Sequence, residues 1–412
     1  MGVFQAGLSG VNVAARNLDV IGNNVANANT VGFKYAQAQF ADVYAGSLVG
    51  AGPQVGIGAS IAAVVQQFNQ GNMSTTNNPM DMAINGGGFF KLSDPLSGAI
   101  SYTRNGQFQI DKNGFVVTNN GKQVNGYPAN ATGAIVTAAP APLQIPSANL
   151  LANATTKIGA GLNLDSRVAA PATAVFNPNT PTSFNNSTST TIYDSLGAAH
   201  VATMYFQKQP APAVNAWNAY LTIDGTSVPA LPATMSALTF STAGTIATPV
   251  GGLVAGVPFA PAGAAPMSLT FDFSTTSQFG SLFSVNNLTQ DGFTSGSLTG
   301  VNTGVDGVMT ARYSNGQNRA VGQVVLASFT NQQGLQSMGG NDWAETSTSG
   351  APLIGVPGSG KLGAIQAGAT EDSNVDMTAE LVHMITAQRT YQANAQTIKT
   401  MDQVLQTVVN LR

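Results

Sequence analysis

The C-terminal stretch Ser373–Arg412 reads SNVDMTAELVHMITAQRTYQANAQTIKTMDQVLQTVVNLR and contains neither glycine nor proline. Apolar residues recur along it at alternating steps of four and three, a heptad-like pattern that is interrupted at Gln388 and Asp402. The pattern predicts one long helix, whose start Ser373 or Asn374 is placed to cap. Such a helix would extend about 55 Å, because each residue adds about 1.5 Å.

This apolar stripe has two interpretations. In most proteins it would be the buried face of a core helix in an ordinary domain. In this chain it continues to the last residues, whereas a mean globular helix has about three turns. This favours a helix that packs against other helices, in this chain or in neighbouring copies. The residues expected in that packed core are Leu381, Met384, Ile385, Tyr391, Ile398, Leu405 and Val409.

A second, shorter stripe at helical spacing occupies the N-terminus and includes Leu8, Val11, Leu18 and Val25. The small residues among it allow a partner helix to approach closely. Periodicity alone leaves two possibilities open: two unrelated terminal helices, or a coiled-coil-like pair. In the second case, residues 1–30 and 364–412 form one inner-core domain of two long helices.

The sequence between the helices is typical of β-structure. Asn-Gly dipeptides, the strongest short hairpin signal, begin at residues 105, 113, 120 and 125. We predict a mainly β, multidomain fold in which a second β-rich domain is inserted into the first. The predicted segments are a connecting segment at 31–72, a first β-domain at 73–146 and 285–363, and the inserted β-domain at 147–284. A glycine-rich linker, Gly350–Gly368, is predicted to lead to the terminal helix.

The composition excludes several classes of protein. Charged residues make up 8% of the chain, against about 25% in typical soluble domains. The net charge of −3 does not indicate the basic surface that binds nucleic acid. No apolar run is long enough for membrane insertion. With no cysteine, thiol chemistry is excluded. The N-terminus is a poor signal peptide, so export would need another route.

No pattern in the sequence points to catalysis. Gly355–Lys361 has the spacing of a phosphate loop, but Leu362 stands where a hydroxyl is needed for magnesium. The two histidines, His200 and His383, are far apart and suggest neither a zinc site nor a triad. We therefore predict that the chain is not an enzyme, with no catalytic residue, no cofactor and no metal.

Three motifs carry a family resemblance. Asn23–Phe33 (NNVANANTVGF), Asp81–Phe90 (DMAINGGGFF) with Tyr102–Phe108 (YTRNGQF), and the C-terminal stretch resemble the axial proteins of the bacterial flagellum, the rod and hook family. Within that family the chain is most similar to hook-type members, because the inserted domain makes it long for a distal rod protein. The N-terminal motif residues are Asn23, Asn24, Asn27, Asn29, Gly32 and Phe33.

The resemblance implies a self-assembling structural subunit of a curved, flexible tube, a universal joint that transmits motor torque to the filament. Implied partners are copies of itself in a helical homopolymer, the flagellar rod, hook cap and hook–filament junction proteins, and the flagellar type III export apparatus. The implied location is extracellular, in the hook and basal body, without a cleaved signal peptide. The alternatives are a distal rod or other axial protein and, less favoured, an extracellular adhesin or enzyme on β-domains.

Overall fold

The computed structural model describes residues 2–43 and 58–410, with side chains from residue 5 up to residue 407. Contacts divide the chain into two compact units. Unit 1 consists of Met1–Ser147, Gly300–Arg312 and Asn318–Arg412, and unit 2 of Ala148–Thr299 and Tyr313–Gln317.

The secondary-structure elements fall into three successive groups along the chain. The first group comprises α1 (Gly2–Ala26), β1 (Ala36–Val43), β2 (Gly58–Gln66), β3 (Met73–Thr75), β4 (Met82–Asn85), β5 (Phe89–Ser93), β6 (Ile100–Thr103), β7 (Phe108–Ile110), β8 (Val116–Thr118), β9 (Gln123–Pro128) and β10 (Ala141–Pro142). The second group comprises β11 (Lys157–Asp165), β12 (Asn186–Tyr193), β13 (Ala199–Lys208), β14 (Ala216–Ile223), β15 (Thr226–Ser227), β16 (Ser236–Phe240), β17 (Ile246–Thr248), β18 (Leu253–Phe259), β19 (Met267–Asp272), β20 (Ser277–Phe279) and β21 (Ser284–Gln290). The third group comprises β22 (Leu298–Thr303), β23 (Val308–Tyr313), β24 (Asn318–Val324), β25 (Leu326–Ser328), β26 (Gln336–Gly339), β27 (Asp342–Ala344), β28 (Leu353–Gly355), β29 (Ala364–Ala367), β30 (Ala369–Glu371) and α2 (Met377–Asn410). Short 3-10 turns occur at Pro181–Ser183, Val250–Gly252 and Gln332–Gly334.

The mainly β fold with one helix at each end agrees with the sequence prediction, but α2 begins later than predicted. Its first residue is Met377, and Asp376 caps it by accepting hydrogen bonds from the backbone N–H groups of Thr378 (2.9 Å) and Ala379 (3.1 Å). The Asn374 side chain instead accepts from the Tyr35 N–H at 2.7 Å. The predicted cap at Ser373 or Asn374 is therefore wrong, because Asn374 is held by a contact distant in sequence.

A large antiparallel sheet forms the centre of unit 1. Its main strand order is β22-β23-β24-β9-β5-β6-β27-β26. Aromatic rings pack edge to face beside it: the Trp343 ring lies 5.6 Å from that of Phe89 and 5.5 Å from that of Phe68. Such pairs add about 0.5–1.5 kcal/mol beyond the area they bury, so this aromatic cluster gives unit 1 a core of its own.

The predicted connecting segment contains a β-hairpin that the sequence pattern did not reveal. Strands β1 and β2 pair antiparallel, with Ala36 opposite Gln66. The Trp343 indole donates a hydrogen bond to the Gln66 side chain at 2.6 Å, which fixes the end of the hairpin to the aromatic cluster. The sequence of β1 is rich in Ala and Gln, which have little intrinsic β preference, so tertiary contacts decide its conformation. Residues 44–57 of the predicted segment lie outside the described residues.

Three of the four Asn-Gly dipeptides separate strands as predicted, but only two of them lie in hairpin turns. Gly114 and Gly121 adopt positive φ in the turns that join the paired strands β7, β8 and β9. Asn105-Gly106 does not close a hairpin, since β6 pairs with β5 and β27. Gly126 lies inside β9, where an added Cβ would be 2.3 Å from the Gln323 carbonyl oxygen. Close backbone approach, rather than a turn, requires that glycine.

Unit 2 is built from two sheets around one apolar core. One sheet has the order β18-β19-β11-β20, with β21 also paired to β11, and the other β12-β13-β14-β16-β17. Both contribute fully buried side chains, among them Leu162, Phe206 and Trp217. Because β21 (Ser284–Gln290) pairs with β11, it lies with unit 2 and not with the first β-domain, where the sequence analysis placed it.

The predicted linker at Gly350–Gly368 contains strands. Strand β28 pairs with β25, and β29 pairs with β4. Gly358 and Gly360 adopt positive φ in the turn between β28 and β29. This turn contains most of Gly355–Lys361, the segment with the spacing of a phosphate loop. The linker prediction failed because its strands are short and are held by partners far away in sequence.

Candidate functional site

The two terminal helices contact each other through small residues. A Cβ added to Gly7 would lie 3.1 Å from Ile398 Cγ1, and one added to Gly10 would lie 2.7 Å from Asn394 Oδ1. Ala14 and Ala387 are both buried. Glycine and alanine on one face of α1 thus let the backbones of α1 and α2 approach closely. We call this contact the helix seam.

The predicted core residues fall into two groups. Val11, Leu18, Val25, Met384 and Ile398 are half-buried in the single chain. Leu8, Leu381, Ile385, Tyr391 and Leu405 are exposed, and the Val409 side chain lies outside the described residues. The single chain therefore covers only part of the predicted stripe.

The exposed apolar residues of α2 continue along most of its length. Leu381 is 45% exposed and Leu405 53%, although they are separated by more than six helical turns. The same helix also exposes Val382, Ile385 and Val404. Exposed apolar side chains that recur along one helix in this way make it a candidate interaction site.

Close to the end of α1 and the start of α2, three charged side chains meet in a buried cluster that we call the charged junction. Lys34 Nζ donates to Glu371 Oε1 at 2.6 Å, and Arg104 Nη1 donates to Glu371 Oε2 at 3.1 Å. All three side chains are at most 2% exposed. Burial lowers the pKa of Lys34 and of Arg104, and the Glu371 carboxylate opposes this shift. A buried charge is tolerated only when it is paired and hydrogen-bonded, so each member depends on the others.

The charged junction connects three segments that are remote in sequence. Lys34 follows the exit of α1, Arg104 follows β6, and Glu371 ends β30 just before α2. The Glu371 carbonyl oxygen also accepts from the Gly32 N–H at 2.8 Å. The Arg104 guanidinium lies 5.3 Å from the centre of the Phe89 ring, which adds a cation–π contact with the aromatic cluster. Both terminal helices are thereby anchored to the sheet of unit 1.

A second buried carboxylate, Glu380, connects α1 directly to the first turn of α2. Asn24 donates to Glu380 Oε2 at 3.3 Å and also exchanges hydrogen bonds with the backbone of Ala36. His383 Nδ1 lies 3.0 Å from Glu380 Oε1. Burial, together with Glu380, raises the pKa of Tyr35. This contact holds the end of α1, the start of β1 and the start of α2 at one point.

The N-terminal motif residues have separate roles in the folded chain. Asn27 donates to the Asn23 carbonyl oxygen at 2.9 Å and so closes the end of α1. Asn29 is exposed, whereas Phe33 and Gly32 are buried. Of the motif, Asn24 and Gly32 reach the polar contacts with Glu380 and Glu371 at the base of the helices.

Gly32 has a conformation that other residues do not easily adopt. Its φ is +74°, and an added Cβ would lie 2.6 Å from the Asn105 backbone nitrogen. Gly32→Ala is expected to destabilise unit 1 by more than the roughly 1–3 kcal/mol of backbone strain alone. Gly121→Ala is the matched control, since Gly121 has φ +78° and nothing within 4 Å of an added Cβ. Denaturant unfolding of both variants tests this, and an equal loss would show that the close approach does not matter.

The sequence alone did not assign Lys34, Arg104, Glu371 or Glu380 to a buried site. A usable signal existed, because charged residues are only 8% of the chain. Lys34 and Arg104 adjoin or fall within the quoted motifs, and in so uncharged a sequence a charge at such a place is unusual. Their pairing could not be inferred, since the partners Lys34 and Glu371 are separated by 337 positions.

The described residues include no cluster of metal-ligating side chains. No helix within residues 2–43 and 58–410 has the length and apolar character needed to cross a membrane. What the arrangement offers chemically is an anchored helix pair that leaves several apolar side chains of α2 exposed.

Four family models match successive parts of the chain. Residues 4–34 match the flagella basal body rod protein, and residues 83–161 the flagellar hook protein FlgE/F/G D1 domain. Residues 163–293 match the flagellar basal body protein FlaE D2 domain, and residues 366–411 the C-terminal model of the flagellar basal body rod FlgEFG protein. The matched ranges include both terminal helices and the central strands.

Whole-chain relatives are found in several bacteria. The flagellar hook protein FlgE of Escherichia coli is 41% identical, over 99% of this chain and 100% of that protein. The proteins of the same name from Salmonella typhimurium and Rhizobium meliloti are 41% and 31% identical, over 99% or more of each chain. The crystal structure of Helicobacter pylori flagellar hook protein FlgE2 has a similar fold, with a TM-score of 0.53 and 16% identity, covering 71% of this chain and 99% of that one. With relatives this similar over their whole length, the chain belongs to the flagellar hook protein FlgE family.

Proposed function

We propose that the chain is the structural subunit of the flagellar hook and that it assembles with copies of itself into a curved, flexible tube. In swimming motility this tube acts as a universal joint, passing torque from the motor to the filament. The observation that carries the proposal is the row of exposed apolar residues on α2, from Leu381 to Leu405. Burial of each such side chain contributes roughly 1.5–3 kcal/mol when complete, so neighbouring copies gain by covering it.

The proposed inner wall of the tube is the helix pair. The helix seam brings Gly7 next to Ile398 and Gly10 next to Asn394, which supports a coiled-coil-like pairing of α1 with α2. The partly covered residues of both helices, together with the exposed ones, form the proposed self-assembly core. The charged junction and Glu380 would pass torsion from this core into the β-sheet of unit 1, because buried polar contacts fix the direction in which each helix leaves that sheet.

The proposed outer layers are the two β-rich units. The division of the chain at Ala148 and Thr299 supports an insertion of the second β-domain into the first. The few charged residues of the chain give neighbouring copies little mutual repulsion. We propose that such neutral, polar surfaces let copies shift against one another as the tube bends.

FlgE is a structural family rather than an enzyme family, and the proposal contains no catalytic step and no cofactor. The proposed partners beyond further copies are the rod, the hook cap and the hook–filament junction proteins. We propose an extracellular location in the hook and export through the flagellar type III apparatus without a cleaved signal peptide.

Electron microscopy of the purified, concentrated protein tests the assembly proposal. The expected result is short curved tubes. Straight tubes would favour the alternative of a distal rod or other axial protein. Persistent monomers at high concentration would contradict both of these assembly proposals.

A further inference from the structure

Two turns and a strand of unit 2 meet at His200, near the start of β13. The ring nitrogen Nδ1 lies 2.6 Å from Asp224 Oδ2, in the turn between β14 and β15. Nε2 lies 3.5 Å from Asp194 Oδ2, in the turn between β12 and β13. The third neighbour is the uncharged ring of Phe259 in β18, at 5.2 Å. The His200 side chain is 16% exposed, so solvent reaches little of it.

Both ring nitrogens of His200 therefore face a carboxylate. This arrangement favours the protonated imidazolium over the neutral imidazole. A neutral imidazole donates from one nitrogen and carries a lone pair on the other, whereas the cation donates from both. If Nδ1 keeps its proton for Asp224, the lone pair of a neutral ring points toward Asp194. Nε2 is buried and has no hydrogen-bond partner among the described residues, so no other acceptor or donor relieves this repulsion.

The two carboxylates are themselves held in place by the backbone. Asp194 Oδ1 accepts from the N–H groups of Leu196 (2.9 Å) and Ala198 (2.8 Å). Asp224 Oδ1 accepts from the N–H of Val201 at 2.9 Å. Asp194 thus closes its own turn, and Asp224 is bonded to the backbone of β13, so neither carboxylate is free to rotate away when the ring loses its charge.

The turn that holds Asp194 packs against the segments by which the chain enters and leaves unit 2. A Cβ added to Gly197 would lie 2.9 Å from Ala152 Cβ and 3.2 Å from Thr294 Cα. Ser195 Oγ accepts from the Ala265 N–H at 2.9 Å, which adds the loop after β18. The His200 ring thus joins the Asp224 turn to a turn that is packed against these entry and exit segments.

We propose that His200 is a proton-operated clamp: as a cation it ties the Asp194 turn to the Asp224 turn, and loss of its proton loosens that end of unit 2. The hydrogen bond that the His200 ring donates to Asp224 raises the pKa of His200, with Asp194 adding to this effect and burial opposing it. A raised pKa means that the stabilisation is fully present below the ordinary value of about 6.5. It is lost as pH rises through the higher pKa of the folded protein.

A proton titration of the ring tests the clamp directly. The sequence contains two histidines, so His383→Gln leaves His200 as the single histidine resonance in an NMR titration of the full chain. The expected midpoint lies above about 6.5, the ordinary value for histidine. A midpoint at or below that value would overturn the proposal.

The stability of unit 2 gives a second, independent test. The two tryptophans divide between the units, and Trp343→Phe leaves Trp217, in the core of unit 2, as the reporter. In this background the unfolding temperature at Trp217 is expected to fall by about 2–4 °C between pH 6 and pH 9. Adding His200→Gln should remove that fall, and adding His383→Gln should preserve it. If the unfolding temperature falls equally in the His200→Gln protein, the clamp is refuted. These measurements use the unassembled subunit, so their outcome is separate from that of the assembly test.

Discussion

Replacing Glu371 with alanine is expected to destabilise unit 1 by about 3–5 kcal/mol, the cost of leaving buried charge without its partner. The substitution leaves two cations, Lys34 and Arg104, without their anionic partner, and both are at most 2% exposed. It also removes the acceptor for the Gly71 N–H, which donates to Glu371 Oε1 at 2.9 Å. Total stability of a domain is about 5–15 kcal/mol, so this one change would remove a large part of it.

Denaturant unfolding followed at Trp343, in a Trp217→Phe background, measures this loss. The matched control is Asp372→Asn, which alters the neighbouring acidic residue. Asp372 bonds to Ser74 in an exposed setting, and exposed polar changes of this kind cost about 0.5 kcal/mol or less. A similar loss in both variants would mean that the charged junction contributes no more than a surface contact.

Replacing Ile398 with aspartate is expected to abolish tube formation while both β-rich units remain folded. Ile398 is half-buried at the helix seam, beside Gly7. In the proposed tube, neighbouring copies would enclose this position further, and burying an unpaired carboxylate costs several kcal/mol. Since each 1.4 kcal/mol is a factor of ten in affinity, the concentration needed for assembly should rise by roughly 100-fold or more.

Sedimentation after concentration, together with fluorescence of Trp217 and Trp343, separates failed assembly from failed folding. Gln396→Asp is the control on the same helix. Gln396 is exposed, and a residue two positions away points to a different side of the helix. Normal tubes from the Ile398→Asp protein would remove the helix seam from the assembly mechanism. Loss of tubes in both variants would show that assembly does not depend on the helix seam in particular, because an added carboxylate on another side of α2 prevents it as well.

The sequence by itself determined the features that depend on local pattern. Apolar spacing predicted the helices at both ends, because helical periodicity is a property of a few consecutive turns. Asn-Gly predicted the turns at Gly114 and Gly121, where the backbone needs positive φ and no distant contact intervenes. The motifs around Asn23–Phe33 and in the C-terminal stretch were sufficient to indicate the family, which full-length relatives confirm.

Tertiary structure decided everything that depends on partners remote in the chain. The same Asn-Gly dipeptide at Asn125 lies inside a strand, because the Gln323 backbone approaches Gly126 too closely for any side chain. Strand β1 has little β preference, and its hairpin with β2 is fixed by Trp343, which is 277 positions from Gln66. Lys34, Arg104 and Glu371 become one site only when the fold buries them together. Once Lys34, Arg104 and Glu371 are buried, replacing any one of them takes an ion-pair partner away from a buried charge. Local sequence patterns did not predict that these residues are buried.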